Sequence, residues 1–556
     1  MRLAIILAAC VAAAPADAIK FKESGKAAGV DDPAVNGTGP AFADYDQDGD
    51  VDIFVSTEAI GPGIALRLWD NDGRGKFRDV AKLRGIDSPG TLGRGAAWGD
   101  YDNDGDLDLI ITTMEQTGGP GGAKPKQVPS TLFKNLLAET GTPNFENATV
   151  AAKLFRKGNA EDVDVGGVGD TGGGAGFVDF DNDGHLDIML RNADAEIDNV
   201  LFHNRGDGTF DDVTHDSGIA MEGKVKESNS QGAPSWADFD NDGDMDPLVT
   251  NEGDFSVLFV NNGNGTFTDV MNSRRPPSGL AFRLAGNAQG SCIGDIDNDG
   301  DLDVYLPLAD QANRVLRNDL DPSTPGGKGL SFTDITAASG AGDMRGARSC
   351  VMADFDNDGL LDVYVNNGGP QNVLINDVIA GMPSFVRFFI AWNPDFNVLY
   401  RGLGGGKFED VTKGSGAEGF GIGSGVAAGD VNGDGFLDMF ATNRTYYSNF
   451  ERVNIPQSSW LFINQGNRNN WLRVTLKGKG GGLGARIKVV SGDLSQIRER
   501  VSGHGYNSAS EPTETIGLGK RTAVDYIEVR WPNGKMSRVE KPAIKATVEI
   551  AELDSK

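Results

Sequence analysis

Aspartates at positions 1, 3, 5 and 9 of a nine-residue string, with glycine at position 6, recur through this chain seven times. The first three copies supply Asp44, Asp46, Asp48, Asp50 and Asp52; Asp100, Asp102, Asp104, Asp106 and Asp108; and Asp179, Asp181, Asp183, His185 and Asp187. The next three supply Asp238, Asp240, Asp242, Asp244 and Asp246; Asp295, Asp297, Asp299, Asp301 and Asp303; and Asp354, Asp356, Asp358, Leu360 and Asp362. The last supplies Asp430, Asn432, Asp434, Phe436 and Asp438, and its Asn432 in place of the second Asp predicts weaker binding there. Carboxylates ~4 Å apart repel by about 4 kcal/mol at an effective dielectric near 20, so such a loop needs a cation. Hard oxygen donors select Ca²⁺, with Mg²⁺ a poorer fit. Position 7 changes freely from Asp to His, Leu and Phe, as suits a residue that ligates through its backbone carbonyl. Glycine at position 6 permits the sharp turn. The predicted role of the metal is structural, at about one ion per repeat.

The string keeps step with two further elements. Downstream of each copy lies a short apolar strand that ends mostly in Asn, as at Asn71, Asn135, Asn204, Asn261, Asn318 and Asn464, with Gly402 in the sixth. Upstream lies a strand of the F-x-D type, at Phe77, Phe145, Phe210, Phe267, Phe332, Phe408 and, more weakly, Phe21. Immediately before each loop a mostly large residue (Phe42, Trp98, Phe177, Trp236) is followed by a mostly small one (Ala43, Gly99, Val178, Ala237). That alternation has the period of a strand buried on one face and crowded on the other, which predicts an innermost strand squeezed around an axis. Units of this size cannot bury their own apolar faces and must stack or close in a ring. Seven units predict an all-β fold, a seven-bladed β-propeller over 19–465, in which closure removes exposed sheet edges. The chain starts on an F-x-D strand and ends its repeats without one, so residues 19–30 are expected to complete the last blade.

The 556 residues exceed what one hydrophobic core usually serves. Arg2, the apolar run from Leu3 to Ala14 and Ala16-Asp17-Ala18 predict a signal peptide over 1–18 and a secreted protein, periplasmic or extracellular. No later stretch is apolar for long enough to form a membrane helix, so no integral membrane span is expected. Net charge is −29, which disfavours nucleic acid as a partner. Cys292 and Cys350 remain after the leader, and their spacing leaves pairing open. Excursions near 115–130, 153–173 and 377–397 break the rhythm; only the third is markedly apolar, with Phe385, Phe388, Phe389, Ile390 and Trp392.

These in-register Asp strings resemble the FG-GAP or VCBS repeats of integrin α-subunit propellers and secreted bacterial proteins. The resemblance implies an integrin α-like propeller with calcium loops on one face. Residues 466–556 form a small β-rich segment by their period-two runs, and Asn470-Trp471-Leu472, Gly484-Ala485-Arg486, Ser502-Gly503-His504-Gly505-Tyr506 and Ile516-Gly517-Leu518-Gly519 resemble the ASPIC and UnbV domain. Propeller plus that domain is the arrangement of the cartilage acidic protein family, whose members are extracellular and calcium-binding.

Only four His are present, and His185, His203 and His215 sit where other repeats carry unrelated residues, which reads as exposed variation. His504 is the one candidate for chemistry, with a turn-stabilising role favoured. Arg205-Gly206-Asp207 falls in a repeat turn and is read as coincidence. The expectation is therefore a binding, adhesion or scaffold protein for a protein or glycan ligand, not an enzyme. The alternatives are a secreted carbohydrate-active enzyme and an assembly partner in a periplasmic or surface complex.

Overall fold

The structure is a computed structural model and describes residues 18–552, apart from 34, 36, 58–65, 87–92, 114–129, 155–171, 193–198, 221–231, 233, 252–255, 271–285, 322–328, 369–393, 449–452 and 456. The expected leader, but for Ala18, and the apolar residues Phe385 to Trp392 lie outside these.

Each Asp string joins the first and second strands of a four-stranded antiparallel sheet, and the Asn-ended strand is third. In sheet 1 the strands are Gly37–Ala43, Asp52–Thr57, Arg67–Asn71 and Phe77–Asp79. Sheets 2 to 6 repeat the order, beginning at Gly93–Gly99, Gly172–Val178, Ser235–Ala237, Cys292–Gly294 and Ala347–Ala353. Sheet 7 contains Gly423–Gly429, Asp438–Asn443 and Trp460–Asn464, and its fourth strand is Phe21–Glu23 from the other end of the chain. Phe21 stands opposite Asn464 and Glu23 opposite Phe462, so the expected completion of the last sheet is present. Together these sheets make an all-β, propeller-like architecture.

The large-then-small alternation follows from first strands of neighbouring sheets packing closely on one another. A Cβ added at Gly99 of sheet 2 would sit 2.7 Å from the Phe177 ring of sheet 3, and one at Gly429 of sheet 7 would sit 3.1 Å from Phe42 of sheet 1. The large residue of one sheet thus packs on the small residue of its neighbour. Shared cores form across these contacts; Val178, Phe180 and Met189 of sheet 3, for example, pack with Trp236, Val249 and Phe259 of sheet 4.

The C-terminal strands form two sheets. Asn470–Lys477 lies between antiparallel Glu514–Gly519 and parallel Thr547–Ala551. Arg486–Ser491, Leu494–Glu499, Tyr526–Arg530 and Met536–Glu540 make the other sheet. Leu472, Val474, Ile487, Val489, Ile516, Ile527, Val529 and Trp531 fill the core between them.

The segment 501–512 leaves these sheets and runs among the first strands of the repeats. Gly505 donates its N–H to Ser291 O of sheet 5 (2.8 Å), Ala509 to Pro40 O of sheet 1 (2.9 Å) and Glu511 to Ala428 O of sheet 7 (3.0 Å). Ser502 Oγ donates to Phe177 O of sheet 3 (2.6 Å), and Tyr506 N–H to Ser349 Oγ of sheet 6 (3.0 Å). One short segment bonded to five first strands requires those strands to surround it. Gly39 permits the approach, since a Cβ there would stand 1.4 Å from Asn507 O.

Candidate metal centres

The same hydrogen bonds hold every loop. The position-1 carboxylate accepts the position-6 glycine N–H, from Gly49 onto Asp44 (3.1 Å) through to Gly435 onto Asp430 (2.8 Å). The position-5 carboxylate accepts the position-7 N–H in all seven, from Asp50 onto Asp48 to Phe436 onto Asp434. The position-9 carboxylate is caught between strands. Its Oδ2 accepts the position-2 N–H, as from Tyr101 onto Asp108 (3.1 Å), and its Oδ1 accepts the N–H ending the third strand, as from Asn135 (2.9 Å). Asp52, Asp187, Asp246, Asp303, Asp362 and Asp438 repeat this. Glycine at position 6 has φ between +85° and +110°, where a side chain would be strained. Position 4, unremarked in the sequence, is left-handed too, from Gln47 (φ +59°) to Asn357 (φ +56°).

These bonds do not exhaust the carboxylates. Oxygens of Asp44, Asp46 and Asp48 lie within 4.8 Å of one another, as do those of Asp100, Asp102 and Asp108, and of Asp179, Asp181 and Asp187. Asp44 Oδ1, Asp46 Oδ1, Asp102 Oδ1, Asp238 Oδ1, Asp240 Oδ2 and Asp297 Oδ1 are buried without a hydrogen-bond partner. Burial is the main force raising several of the loop acids: Asp100 and Asp179 are pushed up to about 7, Asp303 to about 8 and Asp52 to about 9. Asp108, Asp187, Asp246, Asp362 and Asp438 are pushed well above the carboxylate range by the same cause. Acids this buried and this close, with oxygens left over, fit a hard divalent cation. The acidic clusters can bind metal.

Three position-7 carboxylates are engaged elsewhere. Asp106 Oδ2 accepts Ala138 N–H (2.7 Å), and Asp244 and Asp301 accept the side-chain amides of Asn182 (2.6 Å) and Asn241 (2.7 Å) in the preceding loops. Position 4 thereby ties loop to loop: Gln47 reaches Gly105 O, Asn103 Gly184 O, Asn298 Gly359 O and Asn357 Gly435 O. Gly433 in the seventh loop has no side chain to continue the series.

The strand-ending Asn, visible in the sequence but given no role there, joins the sheets. Asn71 Nδ2 donates to Val51 O in its own loop and to Val431 O in sheet 7, both at 2.9 Å. Asn135, Asn204, Asn261, Asn318 and Asn464 reach Tyr45 O, Tyr101 O, Phe180 O, Phe239 O and Phe355 O of the preceding sheets in turn. The sixth sheet has Gly402 and lacks this bond, and a disulfide between Cys292 and Cys350 joins sheets 5 and 6 instead.

The C-terminal sheets meet the ring at its loops. Arg486 and Arg530 pair with Asp238, and Arg473 with Asp430 (3.4 Å) and Glu511 (2.7 Å). Gly480 N–H donates to Asn103 Oδ1 (2.7 Å), so the glycine run 480–484 serves a protein contact. His203 corrects the expectation of exposed variation: its Nε2 lies 3.0 Å from Asp181 Oδ2 inside the third loop, and that bond raises its pKa. His504 is partly buried in the wall of a pocket, donates and accepts backbone bonds with Ser508, and sits 2.6 Å from Ser510 Oγ; desolvation of its ring pushes its pKa down to about 4. A turn-stabilising role suits it. Arg205 is paired with Asp211 (2.6 Å) and Asp207 accepts from Thr209, so the Arg-Gly-Asp turn holds itself together.

Against known families, residues 44–111, 179–249, 238–306 and 387–441 match the FG-GAP-like repeat, and 476–556 match ASPIC and UnbV. The chain carries FG-GAP-like repeats and an ASPIC and UnbV domain. This FG-GAP chain is similar to cartilage acidic protein 1 of Xenopus tropicalis, at 27% identity over 84% of the chain and 74% of the frog protein. The human protein of that name is 30% identical over 52% of the chain, which spans only 39% of the relative. Among solved structures, rhamnogalacturonan lyase YesW has 13% identity and a TM-score of 0.33, covering 93% of this chain and 91% of that one. The V. cholerae biofilm matrix protein Bap1 has 13% identity and a TM-score of 0.29, covering 87% and 60%. At these scores the two likenesses carry no functional meaning. Among the described residues no helix is long and apolar enough to cross a membrane.

Proposed function

We propose that this is a secreted calcium-binding protein that acts by binding, as an adhesion or scaffold protein for a protein or glycan ligand, and not as an enzyme. In this reading residues 1–18 are removed, the seven sheets of 19–465 close as a seven-bladed propeller, and 466–556 cap it. Calcium sits in the seven loops on carboxylates at positions 1, 3, 5 and 9 and the position-7 carbonyl, and its role is structural. One observation carries the metal: the same bonded loop recurs in all seven repeat sheets, and in loops 1, 2, 4 and 5 buried carboxylate oxygens are left unpartnered. The disulfide suits an oxidising compartment. Against catalysis stands His504, whose backbone closes a turn with Ser508 and whose ring is tied to Ser510.

Thermal unfolding in millimolar calcium and in chelator, with metal content by elemental analysis, tests the reading. A melting temperature that rises with the logarithm of free calcium, and about six or seven ions per chain, is the expected result. Absence of both shift and bound metal overturns the calcium assignment. Turnover of a polysaccharide panel, abolished by His504→Ala, overturns the non-enzymatic reading.

A further inference from the structure

The residue just before the strand-ending Asn differs from repeat to repeat: Asp70, Lys134, His203, Val260, Arg317, Arg401 and Ile463. In loops 2, 3 and 6 its side chain reaches carboxylates of its own loop, and in loop 1 it accepts from Tyr45. Arg401 spans loop 6, with Nε 2.6 Å from Asp356 Oδ2 and Nη2 2.6 Å from Asp358 Oδ2, the carboxylates of positions 3 and 5. Asp356 has no exposed side-chain surface, so this ion pair lies within the loop. Lys134 takes the matching oxygens of Asp102 and Asp104 in loop 2, but shares its charge with Glu139 (2.5 Å). His203 reaches Asp181 in loop 3. Arg317 is drawn aside by Asp319 (2.7 Å). In loop 1 the third-strand residue has the opposite sign: Asp70 adds a further carboxylate beside Tyr45, while Arg84, from outside that strand, stands 3.8 Å from Asp46.

We infer that this third-strand residue tunes the calcium affinity of its loop, with loop 1 a tighter site than loop 6 because Arg401 is a built-in counter-cation. The inference rests on the calcium reading above. A guanidinium fixed on two of the four ligating carboxylates neutralises charge that the metal needs and repels a divalent ion a few ångströms away. The same ion pair holds loop 6 together without metal. Loop 6 also borders the disulfide junction between sheets 5 and 6, so this sector of the ring stays formed when calcium is withdrawn.

Calcium binding to the full chain by equilibrium dialysis over buffered free calcium, with hydrogen exchange read loop by loop, tests this. The expected result is that loop 1 fills at about tenfold lower free calcium than loop 6, or less. In chelator, the amides of Asp358 and Leu360 are expected to exchange more slowly than those of Gly49 and Asp50. Arg401→Met, which keeps the aliphatic stem and removes the charge, raises loop 6 affinity about tenfold and speeds its exchange in chelator. Asp70→Asn, on a partly exposed residue, lowers loop 1 affinity and keeps the test open if the arginine variant does not fold. Calcium bound with equal affinity at loops 1 and 6, or an Arg401→Met protein that binds no more tightly, overturns the inference and leaves the calcium reading intact. No bound calcium at any concentration overturns both.

Discussion

The junction between sheets 5 and 6 differs from six others between neighbouring sheets. At those six an Asn amide from the third strand bonds a backbone carbonyl in the preceding sheet's loop; at this one Gly402 cannot, and Cys292–Cys350 spans the first strands. A Cβ at Gly402 would stand 2.4 Å from Leu361 O, so the local backbone has no room for the amide. A repeat tolerates a missing contact where another kind of bond replaces it. What is shared by all seven units, the buried carboxylate loop, should then outweigh anything confined to one junction.

The largest effect should come from the loops. Position-9 acids have folded pKa values raised by burial, to about 9 for Asp52 and about 8 for Asp303, so the metal-free fold keeps protons that the unfolded chain releases above about pH 4. Each such group lowers stability by up to about 1.4 kcal/mol per pH unit as pH rises between its unfolded and folded values. In chelator the melting temperature is expected to fall steadily from about pH 5 to pH 8, whereas millimolar calcium, replacing the protons, flattens or reverses the slope. Parallel slopes with and without calcium would show that the loops do not dominate.

Next in size is the disulfide, which spans a sequence separation of 58 residues. Replacing both Cys292 and Cys350 by Ala should lower stability in calcium by about 2–4 kcal/mol in urea unfolding. Smaller again is a single Asn: Asn135→Ala leaves Tyr45 O and Leu107 O without their donor and should cost about 1–3 kcal/mol. If the Asn variant loses as much as the double Cys variant, the disulfide is no stronger than the bond it replaces and the comparison fails.

Much of this was legible along the chain because it is local and periodic. The nine-residue string contains its own turn glycine and carboxylates, and the missing last F-x-D strand foretold the pairing of Phe21 with Asn464. Asn71 and its equivalents were visible as a pattern without a meaning, since their acceptors lie in another sheet; Val431 is 360 residues from Asn71. His203 was misread for a related reason: a side chain that varies between repeats looks exposed until the third strand is laid beside its own loop.

Composition and spacing by themselves determined the repeat, its count, its strand order and the need of each loop for positive charge, because these depend on residues within a few positions of one another. Only the tertiary structure decided which loops have a basic side chain on their carboxylates, which junction lacks its amide, and that Ser502–Glu511 runs among the first strands of five sheets. Those contacts join residues hundreds of positions apart, and backbone carbonyls, which every residue possesses, supply most of the acceptors. Spacing has no signal for a partner that any residue could provide.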